Sequence, residues 1–327
     1  ENQFTGDPDL ARVIELTDNF DTYGGPEMSA EDYGNISGVA GRVKHVYEAW
    51  TGNERGTSNT RIGMKGLVFE AQKWSSGFDN RVLANRTLLS IIEEKFSSVL
   101  PSIRYNTPIK AIKYSVSPVE LTDASDAVHT ADRVLVAVPQ PIITNRNLQF
   151  IPSLPPEHWQ AITAMQCDRG MKVILKFSDM FWPADTDSLF IPGVVPEFWM
   201  PAGNSASLTD HVLTAFVMGE AAEYLFGLGE EGMLQAILDQ LGSAFGQDIV
   251  QNAFIDHHTM DWGSEPYFQG AYSYIKTGAD PASRNAIGNP AGQIYFAGEY
   301  THTEGHHASV HGAMETAARA AFKIMKA

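Results

Sequence analysis

The residues best equipped for chemistry lie near the end of the chain, in Ile294-Tyr-Phe-Ala-Gly-Glu-Tyr-Thr301 followed by Ser309-Val-His-Gly-Ala313. A buried strand ending at Gly298 would let a ligand approach the backbone, because glycine carries no side chain. Glu299 would then stand as an acceptor at the carboxyl edge of the strand, where open α/β sheets bind ligands. A helix opening with the small residues Gly312 and Ala313 would turn free N–H groups and the positive end of its dipole toward an anion. The same pattern also describes an ordinary strand–loop–helix unit, and on these residues alone both readings stay open.

Two other constellations invite a reading. His302, His306, His307 and His311 include i, i+4 spacings that could bind a metal on a helix. Gly305 argues against a regular helix there, and no Asp or Cys accompanies them, so we expect no metal site and imidazoles that face solvent or substrate. His257 and His258 read as surface residues. Gly227, Gly229 and Gly232 form a Gly-x-Gly-x-x-Gly, which as a dinucleotide phosphate loop needs a preceding strand. Glu220–Phe226 reads as helix instead, and Glu230 and Glu231 would repel phosphate, so the run is a turn between helices.

The elements that must position these residues follow from periodicity. Ala11–Leu16 and Val43–Trp50 read as short helices and Asn53–Thr60 as a loop. Helical spacing of Leu88, Leu89, Ile91, Ile92, Phe96, Val99 and Leu100 predicts an amphipathic helix over Asn85–Leu100. Strands are expected at Ile103–Tyr105, Ile109–Ser115, Val119–Leu121 and Arg133–Val138, the last a buried apolar run closed by Pro139. Met171–Phe177 alternates, with Met171, Val173, Leu175 and Phe177 on one face and Lys172, Ile174 and Lys176 on the other. Leu213–Val217, Tyr272–Ile275 and Ile294–Ala297 complete the strands. Helices are expected at Met233–Leu241 and from about Val310. The fold class is mixed α/β.

Composition bounds the function. The chain has 327 residues, 43% hydrophobic and 19% charged, which is globular and long enough for two or three domains. No run of 18 or more apolar residues exists, so no membrane span is expected. The single cysteine, Cys167, excludes an intrachain disulfide framework and a multi-cysteine zinc site. A net charge of −16 disfavours nucleic acid and anionic lipid; it suits a cationic substrate or partner, or simply solubility. The chain opens at Glu1 with no apolar signal core. We therefore expect a soluble chain that either has lost a leader, as a processed or exported protein does, or is a piece of something longer.

The run FAGEYT…SVHGAMETAARAA resembles the C-terminal flavin motif of the flavin-containing amine oxidases, which include monoamine oxidases, polyamine oxidases, lysine-specific histone demethylases and L-amino acid oxidases. Four further segments agree with this in order and spacing. Arg104–Ile112 resembles the strand that meets adenine, and Ala131–Pro139 the strand closing the middle of the flavin domain. Gly170–Trp182 resembles the strand carrying the flavin-facing lysine, and Trp262–Tyr274 the return from the substrate domain. The resemblance covers roughly residues 67–327. It implies a two-domain, FAD-dependent fold with an incomplete Rossmann-type flavin domain. Residues 1–66 would be part of the substrate domain, 67–150 the middle of the flavin domain, 151–260 the substrate domain with a mixed sheet and helices, and 261–327 the C-terminal part of the flavin domain.

Carried residue by residue, the resemblance implies that Glu299 binds the ribityl hydroxyls and that the amides near Val310 and Gly312 meet the pyrimidine edge of the ring. Gly298, Ser309 and Ala313 share that motif, Ile109 would touch adenine through its backbone, and Trp262 would lie against the cofactor. Lys172 would reach the ring nitrogen N5 through a water; without the family it reads equally as an exposed strand lysine. Tyr272 matches one wall of an aromatic cage for the amine. The opposite wall, a tyrosine in monoamine oxidases, is Ser309 here. In the polyamine oxidases and demethylases an aromatic residue stands three positions earlier, which is His306 in this chain.

The chain departs from the family in having no βαβ unit with the phosphate-binding glycines, and residues 1–66 do not supply one. Proteolytic processing, a split gene, or a subunit that no longer binds FAD would each account for this. We expect a second polypeptide carrying the Gly-rich phosphate loop. The function expected is FAD-dependent oxidation of a polyamine-like amine to an imine, with hydrogen peroxide as by-product. The alternatives are an L-amino acid oxidase, with Arg42, Arg55 or Arg61 for the substrate carboxylate, and an inactive scaffold subunit of a larger complex.

Overall fold

A computed structural model describes residues 6–76, 83, 85–184, 186–200 and 211–327. The chain opens with helices α1 (Pro8–Asp18), capped by the Asp7 carboxylate, and α2 (Ala30–Ile36), capped by Ser29. Helix α3 (Lys44–Glu48) widens into a π turn at Ala49–Asn53, and α4 (Met64–Lys73) and α5 (Leu88–Lys95) follow. Next come β1 (Ile109–Lys113), β2 (Val119–Asp123), β3 (Val128–Ala131), β4 (Val134–Val136), α6 (Gln140–Thr144), β5 (Gln149–Ile151) and α7 (Pro156–Ala164). The middle of the chain forms β6 (Met165–Gln166), β7 (Gly170–Phe177), β8 (Ser188–Leu189), β9 (Glu197–Trp199) and β10 (His211–Met218). Then follow α8 (Gly219–Gly227), α9 (Gly229–Phe245), α10 (Gln247–Ala253), β11 (Phe254–Asp261), β12 (Tyr274–Ile275), β13 (Ile294–Phe296) and α11 (Val310–Lys326).

Three cores result. The largest lies under the antiparallel sheet β11-β7-β10-β9-β8. Side chains alternate across a pleated strand, so Met171, Val173, Leu175 and Phe177 all face one way and pack with Leu213, Ala215 and Val217 against α8, α9 and α10. The second core joins the sheet β3-β2-β1-β5, the parallel pair β4 and β13, and helix α7 through Ile112, Val136, Ile162, Ile294 and Phe296. The third gathers α1 to α4 around Val13, Phe20, Tyr47 and Leu67 and includes Tyr274 from the distant β12. Among the described residues no helix is long and apolar enough to cross a membrane.

Several expected elements differ. The helix expected over Asn85–Leu100 contracts to α5, because Asn85 sits at φ 58° in the left-handed region and Thr87 caps the first turn. Helix α5 buries none of its residues, and Leu88, Leu89, Phe96 and Val99 are exposed. No strand forms at Ile103–Tyr105; Ile103 and Tyr105 face solvent with no strand beside them among the described residues. The strand expected at Tyr272–Ile275 begins only at Tyr274, since the Ser273 N–H is taken by Glu299 rather than by a neighbouring strand. The Gly227–Gly232 run is a helix–helix junction: Gly227 closes α8 and Gly229, at φ 70°, opens α9.

Candidate active site

One carboxylate knots the site together. Strand β13 ends at Phe296, and Gly298 (φ 121°) turns the chain so that Glu299 points back into the protein. Glu299 Oε1 accepts the Ser273 N–H at 3.2 Å, while Oε2 accepts the Ser273 hydroxyl at 2.6 Å and the Ala308 N–H at 2.6 Å. The return into β12, the turn after β13 and the entry to α11 are thereby held at one point. Ser309 caps α11, accepting the Gly312 N–H at 3.1 Å and donating to the His306 carbonyl at 2.7 Å. A Cβ on Gly312 would lie 1.8 Å from that carbonyl, so the small residue is demanded by the chain's own backbone. Ala313 N–H donates to the Ser309 carbonyl, which leaves Val310 and His311 as the first-turn N–H groups free for a ligand.

The second wall comes from the large sheet. Lys172 lies on its open face in a row with Met260, Phe216 and Glu197 on the neighbouring strands. Its ammonium stands 5.0 Å from the Trp199 ring centroid and 5.6 Å from that of Phe216, two rings stacked at 4.0 Å. Burial lowers the Lys172 pKa, and no carboxylate among the described residues pairs with it. The Tyr272 hydroxyl donates to the Glu54 carbonyl at 2.6 Å, and burial together with the nearby Glu54 raises its pKa. Gly170, at the start of β7, abuts Ala271, so Lys172 and Tyr272 flank one seam.

The structure thus brings Gly298, Glu299, Ser309, Val310, Gly312 and Ala313 together and joins Tyr272 to them through Ser273. Ile109 opens β1 and packs into the core that holds β13. Trp262 lies beside the start of β7, donating its N–H to the Gly170 carbonyl at 3.1 Å, with its ring edge-on to Phe268. His306 places its Nδ1 2.9 Å from the Glu315 carboxylate.

Buried polar pairs line the same seam, and of their members sequence reading missed Glu70 and Arg284. Arg55 Nε lies 3.1 Å from Glu70, and His307 Nε2 lies 3.5 Å from the same carboxylate. Burial pushes Glu70 up, but Arg55 and His307 outweigh it and bring its pKa down to about 2. Arg284 is buried and donates to the His302 carbonyl at 2.5 Å; burial lowers its pKa to about 10. These partners are far apart in sequence, and no local spacing announces them.

The histidine cluster does have an acid. Glu315, in the second turn of α11, accepts from His302 Nε2 at 2.7 Å and His306 Nδ1 at 2.9 Å, a carboxylate partner that the search for Asp or Cys beside the histidines passed over. His302 Nδ1 accepts the N–H groups of Glu304 and His306 at 3.2 and 3.1 Å. That nitrogen therefore has no proton, Nε2 carries one, and His302 has no lone pair left there for a metal. Trp74, another residue missed in sequence, packs edge-on against His306 at 5.5 Å and His311 at 5.7 Å.

Residues 86–325 match the family described as flavin containing amine oxidoreductase. The chain belongs to this family. It is 30% identical over 240 residues to lysine-specific histone demethylase 1 homolog 3 of Arabidopsis thaliana, covering 70% of this chain and 14% of that one. It is 28% identical over 244 residues to human lysine-specific histone demethylase 2, covering 71% and 29%. It is 27% identical over 225 residues to polyamine oxidase 1 of Zea mays, covering 65% and 43%. The chain thus spans less than half the length of these curated relatives. A putrescine oxidase solved with putrescine superposes with a TM-score of 0.80 at 20% identity, covering 100% of this chain and 77% of that one. Cyclohexylamine oxidase from Brevibacterium oxydans IH-35A gives a TM-score of 0.79 at 16% identity, covering 100% and 76%.

The residues present fit the ring side of a flavin. The first turn of a 17-residue helix offers two N–H groups and a positive dipole end, and Glu299 Oε1 carries only one donor, leaving a lone pair for a hydroxyl.

Proposed function

We propose that this chain supplies the substrate site and the ring-binding side of an FAD-dependent oxidase of diamine- or polyamine-like cations. The carrying observation is the Glu299 knot, which ties the α11 N-terminus to Ser273, the residue after Tyr272; the strand that bears Lys172 packs against Ala271, the residue before it. Bound FAD would supply the redox chemistry, taking hydride from the carbon beside the amine and passing electrons to oxygen to give hydrogen peroxide. The N-terminus of α11 stabilises negative charge at the pyrimidine edge. Glu299 holds the ribityl side and Ile109 the adenine side. Lys172, kept in an aromatic box, orders a water on the ring, and Tyr272 excludes bulk water beside the amine.

Substrate charge is matched by Glu54 and Glu197. Both raise the Tyr272 phenol, and burial with the nearby Glu54 raises Glu197 itself. The three arginines that the sequence offers for an amino-acid carboxylate are already engaged. Arg42 pairs with Asp7 and Asp9, Arg55 with Glu70 and Glu54, and Arg61 with Glu223 and Asp168. This supports an amine over an L-amino acid.

The phosphate side of FAD is assigned to a βαβ segment with a Gly-rich loop, carried by a second polypeptide. It would cover the exposed apolar faces of α5 (Leu88, Leu89) and α11 (Val310, Met314, Phe322, Met325) and extend the two-stranded β4–β13 sheet. In this arrangement residues 67–150 and 261–327 serve the flavin domain, and 1–66 and 151–260 the substrate domain. The test is oxygen uptake and peroxide release by the partner-containing preparation with putrescine, spermidine, a monoamine and an L-amino-acid mixture. Turnover of the diamine or polyamine above the others supports the reading. Turnover of amino acids alone replaces it, and a flavin-free, inactive complex leaves a scaffold.

A further inference from the structure

The cluster around Glu315 has a defined direction for protons. His302 must carry its proton on Nε2, because its Nδ1 accepts two backbone N–H groups, and it gives that hydrogen bond to Glu315 Oε2. The same oxygen faces His306 Nδ1. An ionised carboxylate can only accept, so His306 carries its proton on Nδ1 and keeps a lone pair on Nε2. That nitrogen lies 3.0 Å from the Ser75 hydroxyl and 3.3 Å from the Ser76 hydroxyl. Ser76 Oγ is also 3.0 Å from His311 Nε2. The arrangement is a carboxylate, an imidazole and exposed hydroxyls in series, with the imidazole side chain only 13% exposed and the serines open to solvent. The groups facing His306 are His302 and Glu315 on one side, His311 on another and the uncharged Trp74 edge; the Lys73–Glu304 pair lies over the loop. Next along the chain, His307 lies 3.5 Å from Glu70, whose charge is felt at Tyr272, and Ser309, which follows the Glu299-bound Ala308, donates to the His306 carbonyl.

An alkylammonium has no lone pair and cannot give up hydride readily from the adjacent carbon. Ionising near 10, it leaves only about one part in a thousand neutral at pH 7. We propose that His306 accepts, through the Ser75 and Ser76 hydroxyls, the proton the substrate ammonium must lose, with Glu315 and His302 as positioning residues. This rests on the amine oxidase reading. The ammonium gives its proton to a serine oxygen as that hydroxyl passes its own proton to His306 Nε2. The products are a neutral amine and an imidazolium facing the Glu315 carboxylate; no electron moves.

Two measurements test this. Nitrogen-15 NMR of the full chain, which needs no flavin, should show His306 as the Nδ1–H tautomer, with the preference lost in Glu315→Gln. An Nε2–H tautomer in the unaltered protein overturns the proposal. Anaerobic reduction of the flavin-loaded, partner-containing protein by a diamine is then followed from pH 6 to 10. His306→Phe, which keeps a ring, should be about a hundredfold slower at pH 7 and converge on the unaltered protein near pH 10, where the amine is neutral in solution. An equal deficit at every pH, or none, overturns the relay and leaves the oxidase standing. Flavin that no amine reduces at any pH in the unaltered protein overturns both.

Discussion

The five-stranded sheet of the proposed substrate side and the β4–β13 pair of the proposed flavin side are built from similar apolar sequences, yet they end in different states. In the five-stranded sheet every inward residue of β7 is buried and three helices close the core. On the proposed flavin side β4 and β13 form, among the described residues, only a two-stranded parallel ladder, Leu135 is exposed, and α11 buries Gly312, Thr316 and Ala320 while leaving Met325 78% exposed. Parallel strands are normally covered on both faces. The first region holds itself together; the second leaves apolar surface open, and the residues proposed to bind flavin lie on that open side.

Substitutions should separate the two regions. Phe177 is 1% exposed, with Phe181, Trp182 and Phe254 set edge-on around it. Phe177→Ala should cost about 3–5 kcal/mol by denaturant unfolding; a loss below about 1 would mean that the substrate side is no better packed than the flavin side. Glu299→Ala leaves the Ser273 and Ala308 N–H groups without their acceptor and should cost about 1–3 kcal/mol. Flavin retention should fall with it, read from the visible band after gel filtration.

Acid and base separate the regions as well. Glu48 ends α3 and accepts the Asn59 N–H, and burial raises its pKa to about 7. Its folded form holds a proton longer than the unfolded chain does. Stability should therefore fall as pH rises from about 4.5 to 7 and stay level above, by about 1–3 kcal/mol. Glu48→Gln should flatten that limb. Glu70 at the seam is depressed, so its contribution is present above about pH 4.5 and lost as pH falls toward 2. Glu70→Gln should remove that acid limb while leaving the limb from Glu48. The smallest effect belongs to the open side: Phe322→Ser should change unfolding of the isolated chain by less than about 0.5 kcal/mol. It should nevertheless weaken co-purification with a partner carrying the phosphate loop. A large loss in the isolated chain would show that α11 is already covered.

What the sequence made legible follows the same division. Alternation in Met171–Phe177, the apolar run of β13 and the helix from Val310 are local signals, and each element formed where expected. The Gly227–Gly232 run was readable as a helix junction because glutamates flank it. The helix expected to Leu100 and the strand at Ile103–Tyr105 carry the same apolar pattern, but nothing among the described residues buries it, so pattern alone overstated them. In the site, Glu299 was visible from its place after a strand and Gly298. Glu315 was not, because it meets His302 and His306 only after a loop folds back on the helix. Glu70 and Arg284 were not visible either, since each meets its partner only through the fold.

The central claim is that this chain presents an amine to a flavin ring held at the α11 N-terminus. The most direct test is the visible spectrum of the native, partner-containing protein before and after anaerobic addition of putrescine or spermidine. A flavin band that bleaches on addition is the predicted result. A flavin band unchanged by either amine, or a colourless protein, contradicts it.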